Sequence, residues 1–281
     1  MRIVPTSPHI GAEILDVDLR TLDDGDFATI HRAFVDHGVV FFRDQDLGPA
    51  DHVAFAERWG AINVNRFFSP VEGHPMIAEV RKEPDQAINI GGGWHTDHSY
   101  DQIPALGSIL YAREVPPIGG DTMFASQYAA YDALSPAMQD TLLELWADHS
   151  SRHVFGAGGA GRQNNPEAAT QDALHPVVIE HPLSGRPALY VNLAFTLRFH
   201  GWTDGESAPL LQWLYGHCAR PEFTTRFSWR PGSLAVWDNR AVQHNALNDY
   251  HGHRRLMHRI TIEGTEVGPA RPKARPATEG R

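Results

Sequence analysis

The chain has 281 residues, about twice the size of a common domain, although single β-rich domains also reach this length. With 34 acidic and 24 basic residues the formal net charge is −10, so a phosphate-tracking nucleic-acid-binding function is excluded. One cysteine excludes an intrachain disulfide, and no apolar run approaches the ~20 residues that span a bilayer, so we expect a cytoplasmic protein without a membrane segment.

Many short strands with a few helices between them are predicted along the chain. Helices are expected where apolar residues recur at helical spacing or where capping residues occur, and strands where β-branched and aromatic residues cluster. In chain order these are helix 27–36, strand 38–43, helix 49–59, strand 76–80, helix 135–146, strands 177–179 and 188–191, a helix from residue 203, and strands 223–229, 233–237 and 256–262. The irregular placement of the helices favours a mainly β protein with flanking helices, a sandwich or a barrel.

Three segments between these elements carry further predictions. Arg230-Pro231-Gly232 has turn chemistry and predicts a hairpin over residues 223–237. Residues 156–170 are rich in glycine and polar residues and are expected to form a lid-like loop. The Pro- and Arg-rich residues 266–281 are expected to be a disordered tail, which leaves residues 1–265 as one domain.

A glycine pattern inside the predicted loop is compatible with dinucleotide binding. Gly156, Gly158 and Gly161 match GxGxxG, and Glu180 follows at a suitable distance, so an NAD(P)-dependent oxidoreductase is an alternative. That mechanism requires a buried strand before the glycines and a helix after them. The polar residues on both sides of the pattern favour neither.

A second pattern, His95-x-Asp97 with His244, has the composition of a metal site. On an extended segment, side chains two residues apart point to the same side, so His95 and Asp97 could share one ion. Two imidazoles and one carboxylate form the facial triad of iron(II) oxygenases, although zinc also accepts this set. In a chain with 17 histidines, the pair taken alone could equally consist of surface residues.

Two arginines follow His244 on the last predicted strand. Arg255 and Arg259 lie on the same face of that strand, ~13 Å apart along it. Guanidinium groups that face the interior require anionic partners, and a carboxylate is the natural partner of a bidentate guanidinium. The alternative is an exposed strand face with solvated arginines.

Together these motifs resemble the TauD/TfdA family of iron(II)- and 2-oxoglutarate-dependent dioxygenases. The matching segments occur in the family's order over nearly the whole chain: 10–14 (IGAEI), 17–19 (VDL), 39–45 (VVFFRDQ), 94–97 (WHTD), 119–122 (GGDT), 189–192 (LYVN), 237–244 (WDNRAVQH) and 254–259 (RRLMHR).

The resemblance implies a double-stranded β-helix (jelly-roll) core and an oxygenase that uses iron(II), 2-oxoglutarate and O₂. It implies that the iron ligands are His95, Asp97 and His244, and that Trp237 lies close to the metal. Thr122 and Arg255 match positions that bind the distal carboxylate of 2-oxoglutarate. Arg259 matches the position that binds the anionic head of the substrate.

Departures from the family pattern predict that taurine is not the best substrate. The positions that match Asn65, Phe68 and Gly91 are a histidine, a tyrosine and an asparagine in taurine enzymes, and all three polar contacts to taurine are changed here. A site built on hydrogen bonds discriminates through them, so their loss matters.

Four residues are expected to line a more apolar substrate pocket: Phe67, Phe68, Phe195 and His98. For the aromatic residues, ordinary core packing is the alternative. The expected substrate is a small organic anion: a sulfonate, an alkyl sulfate, an aryloxyalkanoate or another carboxylate. Assembly into a dimer or tetramer of identical chains is also expected, and a non-catalytic jelly-roll binding module remains a second alternative.

Overall fold

The computed structural model describes residues 1–156, 165 and 168–272. Within them the helices are α1 (Asp24–His37), α2 (Pro49–Glu57), α3 (Gln127–Asp132), α4 (Pro136–Leu143), α5 (Arg152–Phe155) and α6 (Asp204–Cys218). The strands are β1 (Arg2–Pro5), β2 (Ala12–Leu15), β3 (Val39–Phe42), β4 (Ile62–Asn63), β5 (Pro70–Val71), β6 (His74–Lys82), β7 (Gly107–Glu114), β8 (Thr122–Ser126), β9 (Trp146–Ser150), β10 (Asp172–Pro176), β11 (Val178–Glu180), β12 (Pro187–Leu189), β13 (Thr196–Phe199), β14 (Thr224–Phe227), β15 (Leu234–Asp238), β16 (Val242–Ala246), β17 (Arg255–Ile262) and β18 (Gly268–Pro269).

A large sheet forms one layer of the molecule, in the order β1-β2-β3-β15-β7-β17-β6-β5, with β4 paired to β17. Its pairs are antiparallel except for β2 and β3, which run parallel. The strands β7, β15 and β17 in its middle are buried almost throughout, because both faces of the sheet are covered.

A three-stranded sheet, β14-β8-β16, packs against the inner face of the large one. Aromatic side chains from both sheets meet between the layers, and the Phe41 and Phe227 rings stack at 4.1 Å. Two mainly antiparallel sheets packed around one apolar layer form the jelly roll that the sequence predicts. The predicted fold class is therefore confirmed, and the space between the sheets holds the candidate site.

Helices α1 and α2 cover the outer face of the large sheet. The side chain of Asp23 caps α1 by accepting from the Asp26 amide, and Gly38 ends the helix in a left-handed conformation, with φ 72°. The chain then enters β3 directly. The rings of Phe34 on α1 and Trp59 after α2 pack at 4.9 Å, which fixes both helices over the sheet.

The predicted hairpin over residues 223–237 is wrong. β14 pairs with β8 in the small sheet, whereas β15 pairs with β3 and β7 in the large sheet. The turn at residues 230–232 thus carries the chain from one layer to the other. Turn chemistry specifies a reversal of direction, but the pairing of the two strands depends on partners distant in sequence.

The predicted end of one helix and the predicted start of the tail also differ from the structure. The helix that begins at Pro136 ends at Leu143, and Trp146 already opens β9. The predicted tail begins at Glu266, yet Gly268–Pro269 pair with β11 and Ala270 is buried, so the ordered chain extends further. Residues 273–281 of the tail lie outside the described residues.

The loop predicted over residues 156–170 is described only in part. Residues 157–164 and 166–167, which include Gly158 and Gly161 of the glycine pattern, lie outside the described residues. The segment just before Gly156 is the short helix α5 rather than a buried strand, which does not fit a dinucleotide site. Among the helices of the described chain, none combines the length and apolar character needed to cross a bilayer.

Candidate metal and anion-binding site

Two segments far apart in sequence bring the candidate metal ligands together. His95 and His244 form an antiparallel bridge in which each backbone amide donates to the other's carbonyl, at 3.0 and 2.8 Å. Their imidazole rings consequently lie side by side, with centroids 4.1 Å apart. His244 belongs to β16, which is held in the small sheet by β8.

Asp97 completes a cluster with the two histidines. One potential ligand atom from each of the three residues lies within 4.8 Å of the others, and all three residues are buried. The Asp97 carboxylate is 3.7 Å from His95 Nε2 and 3.8 Å from His244 Nε2, too far for direct hydrogen bonds. Three donor atoms that face one another without bonding fit a shared cation.

The protonation states of the cluster also suit a metal ion. His95 Nδ1 lies 2.9 Å from the Gly93 carbonyl oxygen, and donation there leaves the Nε2 lone pair available. Burial, reinforced by His95, lowers the pKa of His244 well below its ordinary value, so this ring is neutral. Burial opposes ionisation of Asp97, but the positive charge of Arg259 prevails and holds the pKa of this carboxyl well below its usual range. Two imidazoles and an anionic carboxylate are the ligand set that ferrous iron accepts.

The ring of His244 is positioned by aromatic neighbours. Trp237 on β15 packs against it with ring centroids 4.7 Å apart, and Phe124 stacks on it at 6.2 Å. Trp237 therefore lies beside the cluster, as the family resemblance implies. Its Nε1 is buried and has no hydrogen-bond partner among the described residues.

A cavity at one side of the cluster leads to Arg255. Its walls include Thr122, Trp237, His244 and Arg255. Arg255 is 4% exposed; its Nε donates to the Gly120 carbonyl, while its Nη2 has no partner in the described part of the chain. Burial lowers the pKa of Arg255, but an arginine guanidinium remains cationic at neutral pH. A buried cation with a free donor is a receptor for an anion.

A second cavity adjoins the first at His95 and Arg259 and is largely apolar. Its polar side chains come from Asn89, His95, Asp97 and Arg259. Its aromatic and larger aliphatic wall residues are Phe68, Ile88, Ile90, Tyr100, Val154, Phe155 and Phe195. Arg259 Nη1 is 3.3 Å from each Asp97 oxygen, and its Nε is buried without a partner among described residues. The guanidinium carbon lies 5.5 Å from the centre of the Phe68 ring.

The structure places most of the predicted site residues around these two cavities, but not all of them. Phe68 and Phe195 line the apolar cavity, whereas Phe67 lies behind it and stacks on Phe155 at 4.2 Å. The Asn65 side-chain oxygen accepts from the amides of Phe67 and Phe68, so this residue shapes the loop and is not part of the wall.

His98 also lies away from the apolar cavity. Its Nδ1 is 2.8 Å from Asp101 Oδ2, and the ring borders a separate cavity with Asn63 and Glu263. A positive φ of 60° at His98 turns its side chain away from that of Asp97. Alternation along a strand could not predict this, because residues 97–100 form a turn.

The sequence analysis did not identify several residues of the site. Val154 and Phe155 on α5, and Tyr100, contribute much of the apolar wall. Ser108 Oγ donates to Asp97 Oδ2 at 3.0 Å. Aromatic residues and serines are common in any core, so only their position near the cluster distinguishes them.

Comparisons with known proteins agree with this geometry. The family model described as taurine catabolism dioxygenase TauD, TfdA family, matches residues 2–261. An alkylsulfatase of Acinetobacter baylyi is 34% identical over 269 residues, which cover 91% of this chain and 83% of that protein. An alpha-ketoglutarate-dependent sulfate ester dioxygenase of Pseudomonas putida is 33% identical over 92% of this chain and 88% of its own. The solved structure of a taurine dioxygenase from Burkholderia xenovorans has a TM-score of 0.83 and 36% identity, covering 96% of this chain and 94% of that one.

Proposed function

This chain belongs to the TauD, TfdA family of iron(II)- and 2-oxoglutarate-dependent dioxygenases, and from that premise we propose that it oxidises a small organic sulfate ester with an apolar carbon chain. As a family member it uses iron(II), 2-oxoglutarate and O₂ and acts on a small organic anion. The dehydrogenase and the non-catalytic binding module are not supported. The ligand assignments and the choice of a sulfate ester are the proposal.

The proposed iron ligands are His95, Asp97 and His244. When bound there, iron(II) supplies the oxidising chemistry by activating O₂ together with 2-oxoglutarate. The protein's part is to present three pre-oriented donors and to shield them from water, since all three side chains are buried.

The proposed receptor for the far carboxylate of 2-oxoglutarate is Arg255 with Thr122. The hydroxyl oxygen of Thr122 accepts from Trp229 Nε1 at 2.9 Å, so its own proton is free to be donated to an anion. Arg255 contributes a full charge and an Nη2 atom that no described residue contacts by a hydrogen bond. A charge-assisted contact in a buried site orients the cosubstrate strongly.

The position of Arg259 is the main support for a sulfate ester as the substrate. Its buried Nε has no partner within the described part of the chain and lies at a cavity whose remaining walls are mainly aromatic and aliphatic. An anionic sulfate can pair with the guanidinium while its carbon chain packs on Phe68, Phe155 and Phe195. The Acinetobacter relative is an alkylsulfatase and the Pseudomonas relative is a sulfate ester dioxygenase, which supports such a substrate.

Taurine fits this cavity poorly, because its ammonium group requires an acceptor. The carboxylate available in the cavity wall is Asp97, which already contacts Arg259. Burial of an unpaired ammonium would be costly.

The products follow from the site of oxidation. Hydroxylation of the carbon that bears the ester oxygen gives a hydroxyalkyl sulfate. This product collapses by loss of hydrogen sulfate to an aldehyde, while 2-oxoglutarate and O₂ give succinate, CO₂ and the inserted oxygen. One substrate should therefore release one sulfate and one succinate.

The test is a parallel measurement of succinate and inorganic sulfate with hexyl sulfate, taurine and 1-hexanol. We expect stoichiometric sulfate and succinate from hexyl sulfate, and a kcat/KM at least about ten-fold lower with taurine, as loss of its amine contacts demands. The uncharged alcohol checks the requirement for an anion at Arg259.

Equal turnover of taurine and hexyl sulfate would contradict the proposed substrate. Equal turnover of 1-hexanol would show that Arg259 is not an anion receptor. An Arg259→Met variant should lose hexyl sulfate-dependent turnover, and retention of its turnover would reject the same assignment.

A further inference from the structure

The carboxylate of Asp97 is supported from behind by residues outside the walls of both cavities. Ser108 on β7 is fully buried, and its Oγ lies 3.0 Å from Asp97 Oδ2. Asn239, also fully buried, donates from Nδ2 to Ser108 Oγ at 3.2 Å. The three side chains form a chain of hydrogen bonds that ends on the proposed metal ligand.

The direction of this chain follows from the donors. A carboxylate only accepts, and the amide nitrogen of Asn239 only donates. The Ser108 oxygen therefore accepts from Asn239, and its single proton is directed to Asp97 Oδ2. Cooperative polarisation strengthens such a chain in a buried setting.

Arg259 cannot fix the rotation of the carboxylate in the same way. Its Nη1 is 3.3 Å from Oδ1 and 3.3 Å from Oδ2, so it does not distinguish the two oxygens. Both distances exceed the ~2.7–2.9 Å of a strong charge-assisted hydrogen bond. Ser108 donates a hydrogen bond to Oδ2 alone, so it distinguishes the two carboxylate oxygens.

We propose that Ser108, oriented by Asn239, is a positioning residue that fixes the Asp97 carboxylate and leaves Oδ1 for the metal ion. This inference rests on the proposed site at His95, Asp97 and His244. The backbone at Ser108 is suited to the task, because β7 lies between β15 and β17 and is paired on both sides at this residue. A rigid support reduces the cost of organising the ligand when the ion binds.

The experiment is an anaerobic titration of the apoprotein with Co(II), followed by calorimetry and by the visible absorption of the bound ion. Ser108→Ala should raise the Kd for Co(II) about 10- to 100-fold, the usual effect of losing a partner of a metal ligand. Ser233→Ala is the matched control. Ser233 is equally buried, but its Oγ contacts the Arg43 guanidinium and the Arg230 amide instead. We expect its Kd to stay within about three-fold of the wild-type value, since it touches no proposed ligand.

A double-mutant cycle separates positioning from a general loss of stability. Asn239→Ala should also weaken Co(II) binding, whereas Ser108→Ala combined with Asn239→Ala should be no weaker than Ser108→Ala alone, because Asn239 acts through Ser108. Fully additive effects would overturn the inference, as would an unchanged Kd in Ser108→Ala or an equal loss in Ser233→Ala. Failure of the wild-type protein to bind Co(II) would instead reject the proposed metal site itself.

Discussion

Arg254 precedes β17 and Arg255 is its first residue, and their side chains point in different directions. The Arg255 side chain is buried beside the proposed cosubstrate cavity, whereas Arg254 points outward to Glu114 and Glu83. Arg255→Ala should raise the concentration of 2-oxoglutarate needed for half-maximal turnover by about 10- to 100-fold, as loss of a charged hydrogen bond implies.

Arg254→Ala is the control for this prediction, because it removes the same charge one residue away on the solvent side. Calorimetric titration of the iron(II)-loaded variants with 2-oxoglutarate under argon measures the effect without turnover. If both variants bind 2-oxoglutarate as the wild-type protein does, the cosubstrate receptor lies elsewhere.

At the residue scale, the sequence predicts groups whose chemistry is rare in a protein interior. Buried histidine, aspartate and arginine need partners, so His95, Asp97 and Arg255 could be selected before the structure was known. Ser108 could not, because a serine in a strand gives no chemical signal. Asn65 was misjudged for a related reason: a short polar side chain often bonds to its own local backbone, and here it does.

Helix α2 buries a histidine that makes stability depend on pH. His52 is 1% exposed, and neither ring nitrogen has a hydrogen-bond partner among the described residues. Burial, together with the nearby His258 and Arg113, lowers the pKa of His52 from its ordinary 6.5 to about 3. The folded protein thus keeps this ring neutral in mild acid.

The sign of the effect follows from proton binding. Below pH 6.5 the unfolded chain binds a proton at His52 that the folded chain does not, so stability is lost as the pH falls from 6.5 towards 3. This residue should cost about 2 kcal/mol of unfolding free energy between pH 7 and pH 5. His52→Leu should remove that part of the acid sensitivity, measured as urea-unfolding free energies at both pH values. Identical losses in the variant and the wild type would show that His52 does not contribute.

At the element scale, the sequence predicts those strands whose composition favours β structure. β3 consists of valine and phenylalanine, and β17 ends in Ile-Thr-Ile. β7, in the middle of the large sheet, was not predicted: its sequence GSILYARE is buried on both faces and shows no alternation. β8 and β16 were not predicted either. In β16, Gln243, His244 and Asn245 serve the site and do not favour a strand.

The whole molecule should become more stable as the site is filled. The proposed ligands come from segments that meet only in the folded chain, so each bound group favours that state by mass action. The unfolding temperature should rise in the order apoprotein, iron(II) form, and iron(II) form with N-oxalylglycine, an unreactive analogue of 2-oxoglutarate. At about 100 times its Kd, each ligand adds about 2.7 kcal/mol.

Scanning calorimetry under argon measures this series. In a His95→Ala variant both steps should be lost, because the analogue is expected to need the metal. An N-oxalylglycine step that persists without iron(II) would contradict the joint site.

The overall architecture was predictable because family motifs span nearly the whole chain, and the structure confirms the jelly roll. The assignment of residues 1–265 to one domain, the lid function of residues 156–170 and the homo-oligomer stay predictions. Strand pairing was the part that sequence could not supply, since β14 and β15 select partners in different layers.

Strand β17 carries both proposed anion receptors, four residues apart on one rigid backbone. A slip of one residue in its pairing would turn Arg255 and Arg259 to the helix-covered side together, so both receptors depend on one strand register. New substrate preferences should then arise by changing Phe68, Phe155 and Phe195, while β17 stays constant. A directed-evolution library should therefore vary Phe68, Phe155 and Phe195 and keep the sequence of β17 unchanged.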